Sequence, residues 1–496
     1  MLALPPASSS SPACSSAAGA FGMDRQQGRP SLGGDELMTR REAISRGLVA
    51  VAGLTLLPSV LAACKGSPAS PTPMPTPMPS PTLSPTPADF LARKLTGNLS
   101  VASSFADPPT LDAMKAIDAA FAAETGLAPT LSTIDHGTCA DPTIFGTCVG
   151  TPGDVLSWYS GFQLRQFAAG GLVVPIDDVW SLVKENFAPG FAAAVTGADG
   201  HVYGIPFDYY PWLFFYRKSV WQARGYEIPT TWDALLALCA RMRKDGLNPM
   251  AFADKNGWPA MATFDMLNLR LNGYDFHMGL LAGTYKWTDP RVTAVFEAWR
   301  KLVPYYPPGS TNLLWQDATA SLVNKKAGML YLGTFMAGQI SFVDPSGAAL
   351  ADIDAFPFPF FGNEFDSEKA IEAPADVWII GAKSPTVKAD LDNARAYLQF
   401  WARGSTQLPM ARAYGTIPTA RDADLSGLGS LFARSAPFVT QARRITQFMD
   451  RDTRYDFVGA GAMQYFLQRF IDDPNQDLAA FEKKIQDFWE GLPPLT

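Results

Sequence analysis

Residues 98–126, which read NLSVASSFADPPTLDAMKAIDAAFAAETG, contain the pattern that decides the fold class. The segment NLSVASSF is typical of a strand. A helix is predicted over Leu111–Thr125, with Gly126 as its stop, because apolar residues recur there at helical spacing. The residues that share its apolar face are Leu111, Met114, Ile117 and Phe121. This stretch therefore predicts one strand followed directly by one helix.

The same alternation continues along the chain. Strands are predicted in APTLSTID (128–135) and GDVLSWY (153–159), and a helix follows in FQLRQFAAGG (162–171). Later helices are predicted in TWDALLALCARMRKDG (231–246, from Thr231 to Gly246), KADLDNARAYLQFWARG (388–404) and DLAAFEKKIQDFWEG (477–491). Strand–helix alternation predicts α/β lobes with mostly parallel sheets. The roughly 400 residues after about residue 90 are enough for two lobes.

An export signal is predicted before residue 65. The segment MTRREAISRGLVAVAGLTLLPSVLAAC (38–64) has a positively charged start and an apolar run that is short for a membrane-spanning helix. Its end, Leu61-Ala62-Ala63-Cys64, resembles the lipobox at which a bacterial signal peptide is cut and the cysteine is lipidated. We therefore predict a lipoprotein signal peptide over 38–64, with Cys64 as the lipidated residue. The alternative is an ordinary cysteine in a short membrane helix.

The segments on either side of this signal have different characters. Residues 1–37 show no pattern of their own and are predicted to be an upstream extension, unstructured or outside the true gene, with Met38 as the alternative start. Arg40 and Arg41 resemble a twin-arginine export signal, and the general secretory route stays open. Residues 65–90 are rich in proline, which favours an extended spacer of about 3 Å per residue. Because nothing before Cys64 could fold, we predict a membrane tether rather than a linker between two domains.

Charge and motifs argue against several function classes. The formal net charge of −7 argues against a nucleic-acid partner. The chain lacks H-E-x-x-H, G-x-S-x-G, G-x-x-x-x-G-K-[ST], G-x-G-x-x-G and C-x-x-C, and His136, His201 and His277 lack the spacing of metal ligands. We therefore predict a protein that is not an enzyme and that holds no metal and no cofactor. Carboxylate pairs that the fold brings together stay open.

The cysteines of the mature chain give two expectations. Cys139 and Cys148 flank the turn-rich segment ADPTIFGT, and disulfides persist outside the cytoplasm. We predict a disulfide between them, with two free thiols as the alternative. Cys239, on the apolar side of the helix in 231–246, is predicted to be a small core residue.

Aromatic residues stand in short clusters rather than in helical stripes. The chain has 12 Trp, 15 Tyr and 32 Phe, and many of them are mixed with Asp, Arg and Gly. The clusters are SWYSGF (157–162), FDYYPWLFFYRKSVW (207–221), NGWP (256–259), YLGTFM (331–336) and PADVW (374–378). Rings stack on the apolar faces of pyranoses, and charged groups bind hydroxyls, so these mixtures suit a carbohydrate cleft. The alternative is that most of these rings are core residues.

Residues 97–496 resemble the group 1 extracellular solute-binding proteins, the sugar-binding lipoproteins of carbohydrate ABC importers. The motifs that carry the resemblance are GDVLSWYSGFQLRQFAAGGLVVPIDDVW, GHVYGIPFDYYPWLFFYRKSVWQARGYEIPTTWDAL, KKAGMLYLGTF and AKSPTVKADLDNARAYLQFWARGSTQ followed by GTIPT. They occur in the family's order. Phe335 stands where the family usually has tryptophan, and EAPADVWIIG lacks the Gly-Gly that many members carry.

The resemblance implies a maltose-binding-protein-like (type II periplasmic-binding) fold with two α/β lobes, a hinge and a cleft. Lobe 1 would comprise 97–210 with 372–417, and lobe 2 would comprise 211–371 with 418–496, with crossings near Pro211, Glu372 and Pro418. Sugar binding would close the hinge, and an ABC permease would recognise the closed, extracytoplasmic, membrane-anchored monomer. The alternatives are a surface-anchored glycoside hydrolase and a binder of a non-sugar solute such as a polyol or a glycerophosphodiester.

Eight residues are predicted to bind the sugar. Seven aromatic rings would stack on it, and Asp376 would accept hydrogen bonds from two adjacent hydroxyls. The set is Trp158 and Tyr159 in the first lobe, Tyr210 and Trp212 at the hinge, Trp258 and Phe335 in the second lobe, and Asp376 and Trp378 near the return crossing. Trp158 follows the end of a strand, where α/β sheets bind ligands. Trp158→Ala and Trp258→Ala are expected to weaken binding with little loss of stability.

Overall fold

Three β-sheets organise the part of the chain that the structure describes. The structure is a computed structural model, and it describes residues 89–133, 153–382, 384, 387–459 and 461–494. The strands are β1 Ser100–Ser103, β2 Thr130–Thr133, β3 Val155–Tyr159, β4 Ile205–Tyr209, β5 Trp212–Arg217, β6 Asn248–Ala251, β7 Ala327–Gly333, β8 Ile353–Phe356, β9 Ile371–Glu372, β10 Ala375–Ile380, β11 Ile417–Pro418 and β12 Ile445–Thr446. Cys64, His136, Cys139 and Cys148 lie outside the described residues.

Helices pack around these sheets. They are α1 Pro108–Thr125, α2 Phe162–Ala169, α3 Asp177–Val183, α4 Pro189–Ala194, α5 Lys218–Arg224, α6 Trp232–Lys244, α7 Trp258–Asn272, α8 Tyr274–Leu281, α9 Pro290–Arg300, α10 Trp315–Val323, α11 Met336–Val343, α12 Ala348–Ala351, α13 Val387–Trp401, α14 Gly404–Tyr414, α15 Ser430–Thr440, α16 Met449–Asp452, α17 Tyr455–Val458, α18 Met463–Asp472 and α19 Leu478–Glu490. Among the described helices, none has the length and apolar character needed to cross a membrane.

The predicted elements in the described residues are present. β1, β2 and β3 lie within the three segments predicted as strands. Helix α1 begins at Pro108, earlier than predicted, because proline is tolerated in the first turn of a helix. Thr231 caps α6: its hydroxyl oxygen accepts a hydrogen bond from the Ala234 amide at 3.2 Å. Cys239 is fully buried, as predicted.

Two sheets define two lobes. The first lobe contains six strands in the order β11-β4-β10-β3-β1-β2, and the second contains four in the order β6-β7-β5-β8. The third sheet is the short pair β12-β9. Each lobe has its own buried core: the first includes Trp378, Tyr397 and Trp401, and the second includes Trp287 and Trp299.

The prediction of mostly parallel sheets is wrong. β1 is parallel to β2 and β3, but β10 is antiparallel to β3 and β4, and β5 is antiparallel to β7 and β8. The crossings between lobes explain the reversal. β4 leaves the first lobe at Tyr209, and β10 enters it at Ala375, which is directly opposite Tyr209 in the ladder. A strand that enters where its neighbour leaves must run in the opposite direction.

The chain crosses between the lobes at three places. It crosses at 210–211 between β4 and β5, and again at 373–374 between β9 and β10. Pro418, the expected third crossing, lies in β11 and pairs with Asp208 in the first sheet. The Asp422 amide still donates to Asn186 of the first lobe, whereas Leu428 is buried in the second core. The chain therefore still contacts the first lobe after Pro418, and the boundary of the lobes in this region stays a prediction.

Candidate functional site

The ends of three neighbouring strands bring polar side chains to the hinge. In the first sheet β10 lies between β3 and β4, and Asp376 is the ladder partner of both Tyr159 and Asp208. Asp376 is 7% exposed and Asp208 is 1% exposed. Because β4 and β10 continue directly into the two crossings, these side chains lie where the first lobe meets the second.

Arg451 of the second lobe enters this polar group. It lies in the short helix α16 and is 3% exposed. Its Nη1 is 2.8 Å from Asp376 Oδ1 and donates to the Ala375 carbonyl oxygen at 3.3 Å, while Nη2 donates to Tyr210 Oη. The guanidinium carbon also lies 4.2 Å from the centre of the Tyr159 ring. One cation therefore joins a carboxylate and two aromatic side chains at the junction of the lobes.

Residues of α16 and of the segment just before it add hydrogen bonds to this junction. Ser160 donates to Gln447 Oε1 at 2.6 Å, and the Ala375 amide donates to the same oxygen at 3.0 Å. Gln163 Nε2 donates to the Asp450 carbonyl oxygen. The segment before and within α16, which belongs to the second core, is therefore bonded to β3, α2 and β10 of the first lobe.

Burial sets the protonation of the charged groups. Burial would lower the pKa of Arg451, but Tyr210, Asp376 and Asp450 outweigh it and raise that pKa above its ordinary value. For Asp208, burial raises the pKa well above its ordinary value and the charge of Asp376 adds to the rise. The pKa of Asp450 is raised to about 6, again first by burial. Arg451 therefore stays charged, while Asp208 and Asp450, whose pKa values are raised, hold protons more readily than exposed carboxyls.

Four predicted residues come together in one aromatic group centred on Phe335. The Phe335 ring lies 5.3 Å from Tyr210, 6.0 Å from Trp212 and 5.9 Å from Trp258. Tyr414, which the sequence analysis missed, lies 6.1 Å from Phe335. The same Tyr414 ring contacts Phe105 of the first lobe at 5.2 Å. Rings of both lobes are therefore in contact at the hinge.

Trp158 and Tyr159 form a second aromatic pair on the first lobe. Their ring centres are 4.9 Å apart. Together with Asp376 and Phe105 they line a small cavity of about 10 Å³, room for one water molecule. Trp158 is 6% exposed and packs on Phe167 at 5.5 Å. Because the ring is also part of the first core, we now expect Trp158→Ala to lose stability, in contrast to the little loss expected from the sequence.

Trp258 and Trp378 differ in their surroundings. Trp258 is half-buried and is the first residue of α7, after Gly257 at φ 75°, rather than part of a turn. Trp378 has no exposed surface, and its ring lies 5.0 Å from Trp401 and 5.4 Å from Phe207 in the first core. Trp378 therefore packs among the rings of the first core, and its predicted contact with a sugar stays a prediction.

Asp376 is also placed differently from the expectation. It was predicted to offer both oxygens to sugar hydroxyls. Instead, Oδ1 faces Arg451 and lies 3.4 Å from Tyr210 Oη, which donates to it. Arg451 carried a weak sequence signal, since it lies in MDRDTR between two aspartates on a polar segment. No sequence pattern connects that segment to Asp376.

A larger cavity lies elsewhere, within the second lobe. Its volume is about 940 Å³, and α6, α9 and α19 form its walls together with Phe360 and Phe361. None of the eight predicted residues lines it. Glu482 lies at its edge with a pKa raised to about 7, chiefly by burial. Within the described ranges no group of three or more His, Cys, Asp or Glu side chains could hold a metal ion.

Comparison with known proteins identifies the family. The family of bacterial extracellular solute-binding proteins matches residues 107–405. The chain belongs to this family. Its fold is the two-lobed fold of solute-binding proteins, so the predictions of family and fold class are confirmed. Proteins of this family are binding components of ABC transporters rather than enzymes.

Solved structures and curated relatives extend the comparison. The bacterial solute receptor AcbH, described as having an exclusive preference for β-D-galactopyranose, is 34% identical, with a TM-score of 0.74 over 79% of this chain and 98% of that chain. A chitin oligosaccharide binding protein is 20% identical, with a TM-score of 0.70 over 79% of this chain and 98% of that chain. At this identity the similarity supports the fold but not the ligand.

Two curated relatives are similar over part of their length. An uncharacterized ABC transporter extracellular-binding protein of Pyrococcus horikoshii is 24% identical over 278 residues, which are 55% of this chain and 60% of the relative. The alpha-glucosides-binding periplasmic protein AglE of Rhizobium meliloti is 24% identical over 280 residues, 52% of this chain and 58% of the relative. The chain thus spans less than two thirds of the length of these relatives.

Proposed function

We propose that this protein captures a carbohydrate between its lobes and delivers it to the permease of an ABC importer. The observation that carries the proposal is the hinge junction, where aromatic rings of both lobes meet the buried Asp376–Arg451 pair. Rings cover the apolar faces of a pyranose, and charged groups bind its hydroxyls. The described preference of AcbH for a galactopyranose supports a sugar as the ligand class.

We propose seven of the predicted residues as the sugar-facing set. Trp158, Tyr159 and Asp376 would contact the sugar from the first lobe, and the hinge and second lobe would add Tyr210, Trp212, Trp258 and Phe335. A ligand that contacts both lobes has a higher affinity for the closed form and shifts the population toward it. The permease would then distinguish the loaded protein by its closed shape.

Export and anchoring complete the proposal. The protein would act outside the cytoplasm as a monomer, held to the membrane by lipid on Cys64 through the proline-rich tether. Cys64→Ala should release the protein from the membrane fraction or leave it unprocessed, as measured by blotting of fractionated cells. Unchanged retention of the variant in the membrane would contradict lipidation at this residue. The Cys139–Cys148 disulfide stays a prediction, which mass spectrometry of non-reduced peptides can check.

A thermal-shift screen against a panel of sugars tests the function. A ligand at 100 times its Kd stabilises a protein by about 2.7 kcal/mol, which is a measurable shift in Tm. The panel includes D-galactose, D-glucose, D-xylose, maltose and chitobiose, with ribitol and glycerophosphodiesters for the non-sugar alternative. Chromatography of the incubated sugars separates a binder from a glycoside hydrolase. A screen in which no carbohydrate shifts the Tm would contradict the proposal.

A further inference from the structure

Two buried carboxyl groups beside the hinge lack partners for some of their oxygens. Glu372, in β9, is fully buried, and neither carboxyl oxygen has a hydrogen-bond partner among the described residues. Asp265, in α7, is also fully buried. Its Oδ2 accepts a hydrogen bond from the Met449 amide at 2.7 Å, but Oδ1 has no partner within the described part of the chain. Buried acceptors without a donor are costly, so these oxygens point to a donor that the described residues do not supply.

The two carboxyl groups are neighbours and repel each other. Burial raises the pKa of Glu372 well above its ordinary value, and the charge of Asp265 raises it further. Burial likewise raises the pKa of Asp265, and the charges of Asp452 and Asp450 add to the rise. Arg451 lowers the pKa of Glu372 but pairs with Asp376 rather than with Glu372. Carboxyl groups therefore outnumber the buried cation here, which disfavours an acidic ligand.

Other buried polar groups without partners surround the pair. Thr446 is the ladder partner of Glu372, and its Oγ1 has no hydrogen-bond partner among the residues described. The Tyr331 hydroxyl and Trp212 Nε1 are also buried and lack a hydrogen-bond partner among the described residues. The two rings lie 5.7 Å apart. The Trp212 ring also lies 5.2 Å from Phe448, the residue before the Met449 that bonds Asp265. Carboxylate acceptors thus lie beside aromatic faces and N–H and O–H donors.

We propose that Asp265 and Glu372 are ligand-binding residues that accept hydrogen bonds from the hydroxyls of a single neutral pyranose. The proposal rests on the proposed function and names the ligand class of that site. A sugar hydroxyl both donates and accepts, so it can bond a carboxylate and a neighbouring donor such as Trp212 Nε1 or Tyr331 Oη at once. Because these groups are almost fully buried, a ring bound to them is enclosed by protein. That enclosure selects a monosaccharide over an oligosaccharide.

Two amide variants test the proposal by isothermal titration calorimetry with D-galactose, D-glucose and D-xylose. Asp265→Asn and Glu372→Gln keep the shape of the side chain but replace an acceptor oxygen with a donor. Each should bind the pyranose that the wild type binds about 10- to 100-fold more weakly. Their Tm without sugar should stay equal to that of the wild type or rise, because a buried carboxyl group no longer needs a proton or a partner. A merely structural role would lower the Tm instead.

Glu482→Gln is the matched control. Glu482 is another glutamate of the second lobe. It is 3% exposed, and one of its oxygens lacks a partner among the described residues. It lines the larger cavity of about 940 Å³ rather than the hinge junction. Its amide variant should bind the pyranose as the wild type does. If it weakens binding as much as Glu372→Gln, or if neither site variant weakens binding, the proposal is wrong.

Deoxy sugars keep the proposal testable if a variant fails to fold. Single-deoxy forms of the bound pyranose are titrated into the wild type, and at least one position should lose about 10- to 100-fold in affinity. Equal affinity for every deoxy form would overturn the proposal. A wild type that binds maltose or chitobiose but no monosaccharide would also overturn it, while the proposed function would stand. A wild type that binds no carbohydrate would overturn both.

Discussion

Replacing Arg451 with methionine removes the cation that joins the two lobes, and we expect a large loss of stability. The side chain is 3% exposed, its Nη1 lies 2.8 Å from Asp376 Oδ1, and it donates to the Ala375 carbonyl oxygen and to Tyr210 Oη. Methionine keeps most of the apolar stem but has no donor. Asp376, which is 7% exposed, would be left buried without a counter-charge. Breaking a buried ion pair from one side typically costs about 3–5 kcal/mol.

Urea denaturation followed by tryptophan fluorescence measures this loss. The double variant Arg451→Met/Asp376→Asn removes both charges of the closest pair and should recover at least about half of the loss, since Asp376 is no longer an unpaired buried charge. The remaining loss reflects Asp450, whose Oδ1 lies 3.6 Å from Arg451 Nε in the wild type. Arg469→Met is the matched control: its partner is Asp472, and the two side chains are 54% and 37% exposed. Exposed pairs contribute about 0–1 kcal/mol, so the control should unfold nearly as the wild type.

The comparison of these variants can refute the reasoning. If Arg451→Met loses less than about 1 kcal/mol, the buried pair is not what stabilises the junction. If the single and double variants lose the same amount, the loss comes from the packing of the arginine side chain and not from an uncompensated Asp376.

Three further predictions follow from the placement of individual side chains. Trp378→Ala should lose about 3–5 kcal/mol of unfolding free energy, because the ring is fully buried in the first core. Trp258→Ala, at a half-buried position, should lose less stability but weaken sugar binding. Thermal melting and sugar titration of both variants check this, and equal losses of stability would contradict it. The raised pKa of Glu482, about 7 against an ordinary 4.5, makes the folded state bind a proton that the unfolded chain releases. The stability from this proton is therefore present below about pH 4.5 and lost as the pH rises through about 7, so Glu482→Gln should flatten this decline in urea midpoints measured across that range. Thr231→Ala should lose about 1 kcal/mol, because the Ala234 amide loses its cap at the start of α6; an unchanged urea midpoint would show that this cap contributes nothing.

The local pattern of the sequence was sufficient to predict the helices and strands named above and the protein family. Apolar spacing predicted α1, and Thr231 with Gly246 predicted the limits of α6. Strand direction was not predictable in the same way. Whether β10 is parallel or antiparallel to β4 depends on where the chain returns from the other lobe, and no residue within either strand encodes that return.

The composition of the site was partly predictable, whereas the pairing of its charges was not. Aromatic clusters pointed to Phe335, Trp212 and Trp258, which do form one group. Trp378 was assigned to the sugar site because its cluster resembles the others, and only tertiary packing shows that its neighbours are Phe207 and Trp401. A register shift opposite Asp376 and Val377 also leaves Phe207 as an extra residue in β4, so the side chains of β4 do not alternate in step with those of β10.

The Arg451–Asp376 pair also bears on how a sugar would be held. The pair joins the lobes without any ligand, so it contributes to the stability of the junction itself. A sugar that binds only the closed form gains affinity in proportion to how often that form is populated. The carboxyls of Asp265 and Glu372 act in the opposite direction, because a buried acceptor without a donor costs free energy until a sugar hydroxyl supplies one. The ion pair stabilises the junction, and the unpartnered acceptors destabilise it, so the junction would be more stable with a sugar bound than without one. Sugar binding would then shift the population toward the closed form.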